Sequence, residues 1–309
     1  MSTPELTASA GIHLRARRRR LGEDVVKGVL ALCALISVAT TVGIVIALFV
    51  PAFEFFQSIS IVDFLTGTNW SPLFEPAHFG VLPLVSGTLV VTAIAALVAL
   101  PFGLGSAIYL SEYAGPRVRG ILKPGLELLA GVPTIVFGYF ALTFMTPLLR
   151  DVGIEVEIFN ALSGGLVMGV MLIPTVASLS EDAMGSVPND LRDGSYALGS
   201  TRMQTATRVV VPAAVSGIIA SFVLGISRAI GETMIVLVAV GQQPTLSFDP
   251  REAMETMTAF IAATGAGDVP TGSLEYKTIF AVGATLFLVT FVMNIVAIRL
   301  VRRFREVYE

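Results

Sequence analysis

The sequence predicts an all-α, polytopic membrane protein, and three observations lead to this prediction. Hydrophobic residues make up 54% of the 309 residues, whereas charged residues make up 14%, against about 25% in an ordinary soluble domain. The mean hydropathy is +0.80. The charges are also grouped, because long stretches carry none. This composition excludes a soluble enzyme, a disordered regulator and a nucleic-acid-binding protein.

Each uncharged stretch holds 19 or more residues, close to or above the roughly 20 that a helix needs to cross the hydrocarbon core. A spanning helix also satisfies its own backbone hydrogen bonds, which lipid cannot do. The stretches cover 28–53, 76–111, 128–149, 158–180, 209–227 and 278–298. We therefore predict six transmembrane helices, over 29–50, 85–110, 126–149, 160–180, 212–241 and 278–298.

The order of these spans divides the chain into segments. They are a basic tail over 1–28, the first span over 29–50, a loop over 51–84, a core with five spans over 85–298 that contains an internal loop over 181–212, and a tail over 299–309. Sixteen Lys and Arg residues fall on one side of the predicted membrane and three on the other. The positive-inside rule then places both termini in the cytoplasm and 51–84 outside it.

The basic run Arg17–Arg20 precedes the first span. A cleaved signal peptide is a poor explanation, because the apolar stretch of about 22 residues is longer than a signal core. We interpret the run as a topology anchor that contacts anionic lipid rather than nucleic acid.

Several chemistries are missing from the sequence. None of its three lysines follows a glycine, so there is no phosphate-binding loop for a nucleotide. The single cysteine, Cys33, excludes a disulfide framework, and the two histidines are far apart in sequence. The chain therefore has no predicted catalytic residue or metal site. A secondary transporter, a channel and the membrane subunit of a larger machine all remain open.

The internal loop predicts two short helices joined at a glycine. Pro188 to Asp190 is typical of a turn and helix start, Gly199 breaks the first helix, and 203–208 reads as a second. The joined helices would present an apolar knob with a polar rim, formed by Ala197, Leu198 and Met203. Docking into a groove on a partner and lying on the membrane surface explain this pattern equally well.

The same loop resembles the coupling loop of ABC-importer permeases. That loop has the pattern Glu-Ala-Ala, three residues, Gly, nine residues, Ile, one residue, Leu-Pro. Here Asp193, Gly194 and Ser195 are followed at the same spacings by Gly199, Val209, Val211 and Pro212, so that only the leading triplet departs in kind. The resemblance implies that these residues, with Ala197 and Leu198, couple the chain to a cytoplasmic ATPase by docking into a cleft of it.

Four further segments are similar to the phosphate-specific importer permease of the PstC type. They are Phe79–Thr88, Ile108–Ala114, Glu127–Pro133 and Ser227–Met234. This resemblance implies the type I ABC importer permease architecture and a multi-pass location in a bacterial or archaeal inner membrane. It also implies three kinds of partner: a PstA-like permease that forms a heterodimer with this chain, an ATPase dimer and an extracytoplasmic phosphate-binding protein. ATP and Mg would be bound by the ATPase, and this chain would hold no cofactor.

One pair of charges interrupts the predicted fifth span. Arg228 and Glu232 are four residues apart, so in one helix they would share a face. An internal ion pair is the simple interpretation. Because arginine grips oxyanions with a planar fork of donors, we instead predict that Arg228 contacts phosphate in the translocation pathway and that Glu232 holds it when the pathway is empty. The resemblance supports this, because these residues match charged positions of the family.

Three alternatives for the substrate or the mechanism stay open at this point. Arg228 alone does not distinguish phosphate from sulfate or molybdate. An ion-coupled secondary transporter could also use the pair of charges, although the spacing of the coupling loop argues against it. A regulatory subunit that reports phosphate status is a further alternative.

Overall fold

The computed structural model describes residues 21–303, so the basic run Arg17–Arg20 lies outside the described residues. The chain divides into two compact units, one ending at Ala47 and one beginning at Leu48. The helices are α1 Leu21–Ser58, α2 Ile61–Thr66, α3 Leu82–Ile108, α4 Pro116–Ala130, α5 Thr134–Phe140, α6 Thr146–Asp151, α7 Ala161–Gly185, α8 Asn189–Ala197, α9 Arg202–Thr205, α10 Val211–Ala213, α11 Val215–Ile230, α12 Met257–Gly265 and α13 Leu274–Arg303. Wider π-helical turns lie at Tyr109–Tyr113, Ala141–Met145, Ala206–Val210 and Val236–Val240.

The predicted fold class is confirmed, since nearly all regular structure in the described residues is helical. Within 21–303, four helices are long and apolar enough to cross a membrane: those over Glu23–Ser58, Leu82–Tyr113, Ala161–Gly185 and Leu274–Arg302. Two bent pairs pass the same test together, which makes the number compatible with six spans. Of the described residues, the first unit contains the N-terminal part of α1, which is apolar on all sides from residue 28 onward.

The predicted third and fifth spans are not single straight helices. The third is broken after Ala130, and α4 meets the helical segment Thr134–Asp151 at 86°. The residue before a proline avoids helical backbone, and Pro133 follows the break. In the fifth, the helical segment Arg202–Ala213 bends by 73° into α11, which ends at Ile230, and helical structure resumes after a break and reaches Val240. A continuous helix over either predicted span is therefore wrong, although the helical ends at Asp151 and Val240 lie close to the predicted 149 and 241.

Helices α3 and α7 form the centre of the second unit and approach each other at glycines. A Cβ built on Gly165 would lie 2.7 Å from the Cβ of Ile94, and one built on Gly169 would lie 2.6 Å from the Cβ of Val98. Such small residues let helix backbones pack closely where no hydrophobic effect drives helices together. Around them the main core gathers the fully buried Met168, Met171, Leu172 and Ile235.

A second core is aromatic and was not predicted from the sequence. Phe55 and Phe64 pack edge to face at 5.7 Å, and Trp70 packs against Phe260 at 4.9 Å. Trp70 belongs to a small antiparallel ribbon of β1 Trp70–Ser71 and β2 His78–Phe79. The predicted loop over 51–84 is thus an ordered cap over one end of the second unit.

Candidate functional site

The segment that follows α7 forms a helical hairpin that turns at a glycine. Helix α8 ends at Ala197, and Gly199 has a φ of +82°, in the left-handed region that glycine adopts without strain. Thr201 and Gln204 then form a capping box, with Gln204 N–H donating to Thr201 Oγ1 at 3.3 Å and Thr201 N–H to Gln204 Oε1 at 2.9 Å. The predicted pair of short helices joined at Gly199 is confirmed.

The two sides of this hairpin differ in burial. Inside, the hydroxyl oxygens of Ser195 and Thr205 lie 2.9 Å apart and are buried, so they join α8 to α9. Outside, Leu198 is 90% exposed and Met203 is 66% exposed, with Ala197 exposed beside them. The predicted apolar knob is therefore present and has no partner within the described residues.

The remaining residues of the predicted coupling pattern differ in exposure. Asp193, Gly194 and Pro212 are exposed, whereas Val209 and Val211 are half-buried. The start of α8 also differs in detail, because Pro188 occupies the capping position and no side chain caps the helix. The helix start predicted at Pro188 to Asp190 is confirmed, since α8 begins at Asn189.

An arginine that the sequence analysis overlooked anchors the hairpin. Arg192 donates from Nη1 to the carbonyl of Val187 at 2.6 Å, and from Nη2 to the carbonyl of Met184 at 2.8 Å and to Glu112 Oε1 at 3.1 Å. Its side chain is 15% exposed and that of Glu112 is 5% exposed. Glu112 is 80 residues away in sequence, so no local pattern could reveal this contact.

A second group of charges ties α4 to the end of α7. Glu181 is fully buried and accepts hydrogen bonds from Arg119 and from Lys123, the latter at 2.7 Å. Lys123 also reaches Asp182 at 3.0 Å. The hairpin therefore follows a junction of α4 and α7 that ion pairs stabilise.

Arg228 and Glu232 do not form the predicted pair. Because α11 ends at Ile230, Glu232 no longer shares a helical face with Arg228. Arg228 is exposed within this chain, and its Nη1 donates to the Thr175 hydroxyl at 3.3 Å. No carboxylate among the described residues forms an ion pair with it. The contact by which Glu232 is predicted to hold Arg228 in an empty pathway is therefore absent from this conformation.

Glu232 instead caps the helical segment that follows the break. Its Oε1 accepts the backbone N–H groups of Met234 at 3.1 Å and Ile235 at 3.4 Å. The start of a helix leaves such groups without partners, and a carboxylate there is favoured electrostatically. The Thr258 hydroxyl donates to the Glu232 carbonyl at 2.6 Å, which joins the break to the first turn of α12 and so to the segment that precedes this helix.

That segment carries a buried acid. Glu255 is 7% exposed, and no hydrogen bond or ion pair to its carboxyl group occurs in the described part of the chain. Burial raises the pKa of the Glu255 carboxyl group to about 7. Helix α3 holds the backbone in place, since Thr88 Oγ1 accepts the Met257 N–H at 3.1 Å and Gly87 leaves room for the Glu255 carbonyl.

A cavity of about 340 Å³ lies between α4, α7 and α11. Thr175, the partner of Arg228, is one of its walls, and the others include Ser178, Leu224, Lys123, Glu127 and Glu181. The cavity therefore extends from the hydroxyl beside Arg228 to the charges at the base of α4. Among residues 21–303, no group of three or more His, Cys, Asp or Glu side chains could hold a metal ion.

Comparison with known proteins identifies the class of protein. Residues 99–306 match the family described as binding-protein-dependent transport system inner membrane component. The probable ABC transporter permease protein YqgH of Bacillus subtilis is 37% identical over 92% of this chain and 93% of its own length. The phosphate transport system permease protein PstC 1 of Mycobacterium tuberculosis is 33% identical over 78% of this chain and 82% of its own length. PstC of Mesorhizobium japonicum is 29% identical over 91% and 90%.

Solved structures share the fold. A bacterial ABC transporter that imports the acidic polysaccharide alginate has a chain that superposes with a TM-score of 0.63, at 17% identity over 93% of this chain and all of that one. An inward-facing MetNI methionine ABC transporter superposes with a TM-score of 0.56, at 18% identity over 74% of this chain and 95% of that one. The chain thus has the architecture of type I ABC importer permeases.

The class is therefore a multi-pass permease subunit of an ABC importer. The chain belongs to the family of binding-protein-dependent transport system inner membrane components. It is a non-catalytic membrane subunit, and ATP hydrolysis in such a system belongs to a separate ATPase.

Proposed function

We propose that this permease belongs to an ATP-driven importer of inorganic phosphate and forms half of the translocation pathway. The observation that carries the proposal is the state of Arg228. Its guanidinium group is exposed within the chain, has one hydrogen bond of 3.3 Å to a neutral hydroxyl, and lies next to a cavity wall.

A lone arginine in a spanning segment requires a physical reason. Placing it at the centre of a membrane helix costs roughly 2.5–3.5 kcal/mol on insertion scales, and such residues usually face a partner or a water-filled pathway. Guanidinium has five N–H donors in a fork that matches oxyanions. With Glu232 engaged elsewhere, most of those donors are available to an anion in transit.

Glu232 acts in this proposal through the backbone that it caps. It stabilises the break after α11 and so fixes where Arg228 enters the pathway. Irregular backbone at membrane depth is tolerated where it lines a cavity or is buried in protein, and the buried contact of Glu232 with Thr258 meets that condition.

The proposal includes the partners that the family resemblance implies. Two ATPase subunits would bind ATP and Mg, and the exposed Leu198 and Met203 of the hairpin would dock into a cleft of one of them. A PstA-like permease would complete the pathway, and a phosphate-binding protein would deliver the anion from outside. The hairpin and both termini are then cytoplasmic. Purification in mild detergent should recover the ATPase and the second permease together with this chain.

The choice of phosphate is supported by the relatives named PstC, which are 28–33% identical. A second candidate, another oxyanion such as sulfate or molybdate, rests on the chemistry of Arg228, because a guanidinium group binds any of these oxyanions. The name of the 37% identical relative, a probable permease, specifies no substrate. Both candidates use the same arginine, so transport competition has to separate them.

The test is uptake of radioactive phosphate into proteoliposomes that contain the complete transporter. Hydrogen bonds to a charged group contribute about 1.5–3 kcal/mol, so Arg228→Ala should reduce uptake about tenfold to a hundredfold. Arg228→Lys keeps the charge but loses the fork and should be intermediate. Arg251→Ala, which removes an exposed arginine paired with Asp249, is the matched control.

Three results would overturn the proposal. Full uptake by assembled Arg228→Ala would remove this residue from the pathway. Inhibition of uptake by sulfate or molybdate at lower concentration than by unlabelled phosphate would make one of them the substrate. Uptake without the ATPase that collapses with a protonophore would support an ion-coupled transporter instead.

A further inference from the structure

We propose that Arg192 is a positioning residue that transmits movement of the hairpin to Arg228. The inference rests on the proposed function, because it presumes that the hairpin moves with an ATPase. It assigns a role to a side chain outside the coupling pattern and outside the pathway.

The first step is the contact between the hairpin and the ends of α3 and α7. Arg192 lies in α8, yet its guanidinium group binds the carbonyl of Met184 in the last turn of α7, the carbonyl of Val187 just after that helix, and the carboxylate of Glu112. A cation at a helix C-terminus is favoured by the unpaired carbonyls there. Glu112 belongs to the π-helical turn that ends α3. One side chain therefore holds the ends of both central helices.

The second step is that α3 and α7 move as one body. Gly103 of α3 leaves room for Val176, whose Cβ would be 2.7 Å from an added Cβ, and two glycines of α7 leave room for side chains of α3 in the same way. Packed interfaces of this kind shift between discrete arrangements rather than deform continuously. A displacement at Arg192 is therefore passed along the length of the pair.

The third step is the contact between α7 and the helix that carries Arg228. The hydroxyl oxygens of Ser180 and Ser221 lie 2.7 Å apart in the interior, and Gly217 leaves room for Ala183. Further along α7, Thr175 accepts the hydrogen bond from Arg228. The path from the hairpin to the proposed anion contact is thus continuous and consists of buried or half-buried side chains.

A purely structural brace would hold the hairpin without taking part in coupling, so the test must measure coupling directly. The complete transporter in proteoliposomes is supplied with phosphate-binding protein, ATP and phosphate. The amounts of phosphate imported and of ATP hydrolysed are measured in the same sample. The readout is the import ratio, defined as phosphate imported per ATP hydrolysed. Thermal unfolding of the purified complex is recorded in parallel.

The variants are chosen to retain the fold. Arg192→Lys keeps the charge but cannot bind three acceptors in a fork, and Glu112→Gln removes one charge while the carbonyl contacts remain. Changes in such networks alter coupling by about 0.5–2 kcal/mol, which corresponds to a factor of about two to thirty. We expect the import ratio to fall by about tenfold in Arg192→Lys and by less in Glu112→Gln. The KM for phosphate should stay unchanged.

The control removes a comparable ion pair elsewhere. Lys277 binds Glu54 at 2.8 Å, away from the hairpin, and Lys277→Gln should leave the import ratio unchanged. A wild-type import ratio in Arg192→Lys and Glu112→Gln, or a shift in unfolding temperature alone, would overturn the inference. If the wild-type complex imports sulfate or molybdate instead of phosphate, only the substrate assignment fails, and the same ratio is measured with that anion.

Discussion

Two arginines of this permease show opposite environments. Arg192 has three strong acceptors, including a carboxylate, and is mostly buried. Arg228 has one long hydrogen bond to a hydroxyl and is exposed within the chain. A guanidinium group whose donors are filled holds structure together, whereas one whose donors are free can bind something that arrives. The difference separates the region that joins the hairpin to the core from the region where we propose that the substrate binds.

Three carboxylates show the same contrast. Glu112 forms an ion pair with Arg192, whereas Glu232 accepts backbone N–H groups, and Glu255 has no partner for its carboxyl group among the described residues. The charges of Arg192 and Glu112 therefore compensate each other. Arg228 and Glu255 have no such ion-pair partner among the described residues, and the following changes test that contrast.

The largest effect on stability is expected at Arg192. Removing one partner of a buried ion pair costs about 3–5 kcal/mol, so Arg192→Ala should lower the unfolding free energy by about 3 kcal/mol. Arg228→Ala should change it by less than about 0.5 kcal/mol, as exposed substitutions do. Unfolding by titration with a denaturing detergent measures both. Equal losses would remove the contrast between the two arginines.

The second effect concerns Glu255 and pH. Its pKa is raised from 4.5 to about 7 in the folded chain, so ionisation disfavours folding. Stability should be highest below about pH 4.5, decline as pH rises to about 7 and level off above it, with a total loss of up to about 3 kcal/mol.

Glu255→Gln tests this assignment. The variant should lose much of the decline in stability between pH 5 and pH 8, measured by unfolding in the same detergent. Glu252→Gln, at an exposed neighbour, should keep it. An identical pH profile for the wild type and Glu255→Gln would mean that the carboxyl group finds a partner or water.

The third effect is at the turn of the hairpin. A side chain in left-handed backbone costs about 1–2 kcal/mol, so Gly199→Ala should destabilise the hairpin and weaken binding of the ATPase, measured by co-purification. Gly199→Asn should cost less, because asparagine adopts this conformation more readily. Gly194→Ala is the matched control, since it lies inside α8 with open space around it and should stabilise by up to about 1 kcal/mol.

The smallest effect is expected at Glu232. Loss of a capping side chain costs about 1 kcal/mol, so Glu232→Ala should destabilise by that amount and Glu232→Gln by less, because an amide oxygen still accepts. A double-mutant cycle with Arg228→Ala provides the sharper comparison. Additive changes fit the capping role. A coupling energy above about 0.5 kcal/mol would instead indicate an ion pair between Arg228 and Glu232, as their spacing of four residues predicts.

The sequence predicts local structure better than contacts between distant residues. The hairpin could be predicted because Gly199 acts within a few residues. The end of α11 was missed because hydropathy does not record a break in the backbone, and the residues from Met234 to Val240 are as apolar as those before Gly231. The break before Pro133 had a signal, since proline restrains its neighbour. The contact between Arg192 and Glu112 had none, because it depends on how α3 and α7 pack.

The π-helical turn at Tyr109–Tyr113 has a consequence for the history of the family. The Ala114 N–H bonds to the Tyr109 carbonyl at 2.8 Å, five residues back instead of four. One additional residue turns a helix by roughly 100°, and that rotation directs Glu112 towards Arg192. In a homologue with a one-residue deletion here, the residue equivalent to Glu112 should point in another direction. An arginine at the position of Arg192 would then lack its carboxylate partner. Insertion and arginine are then expected to be gained or lost together.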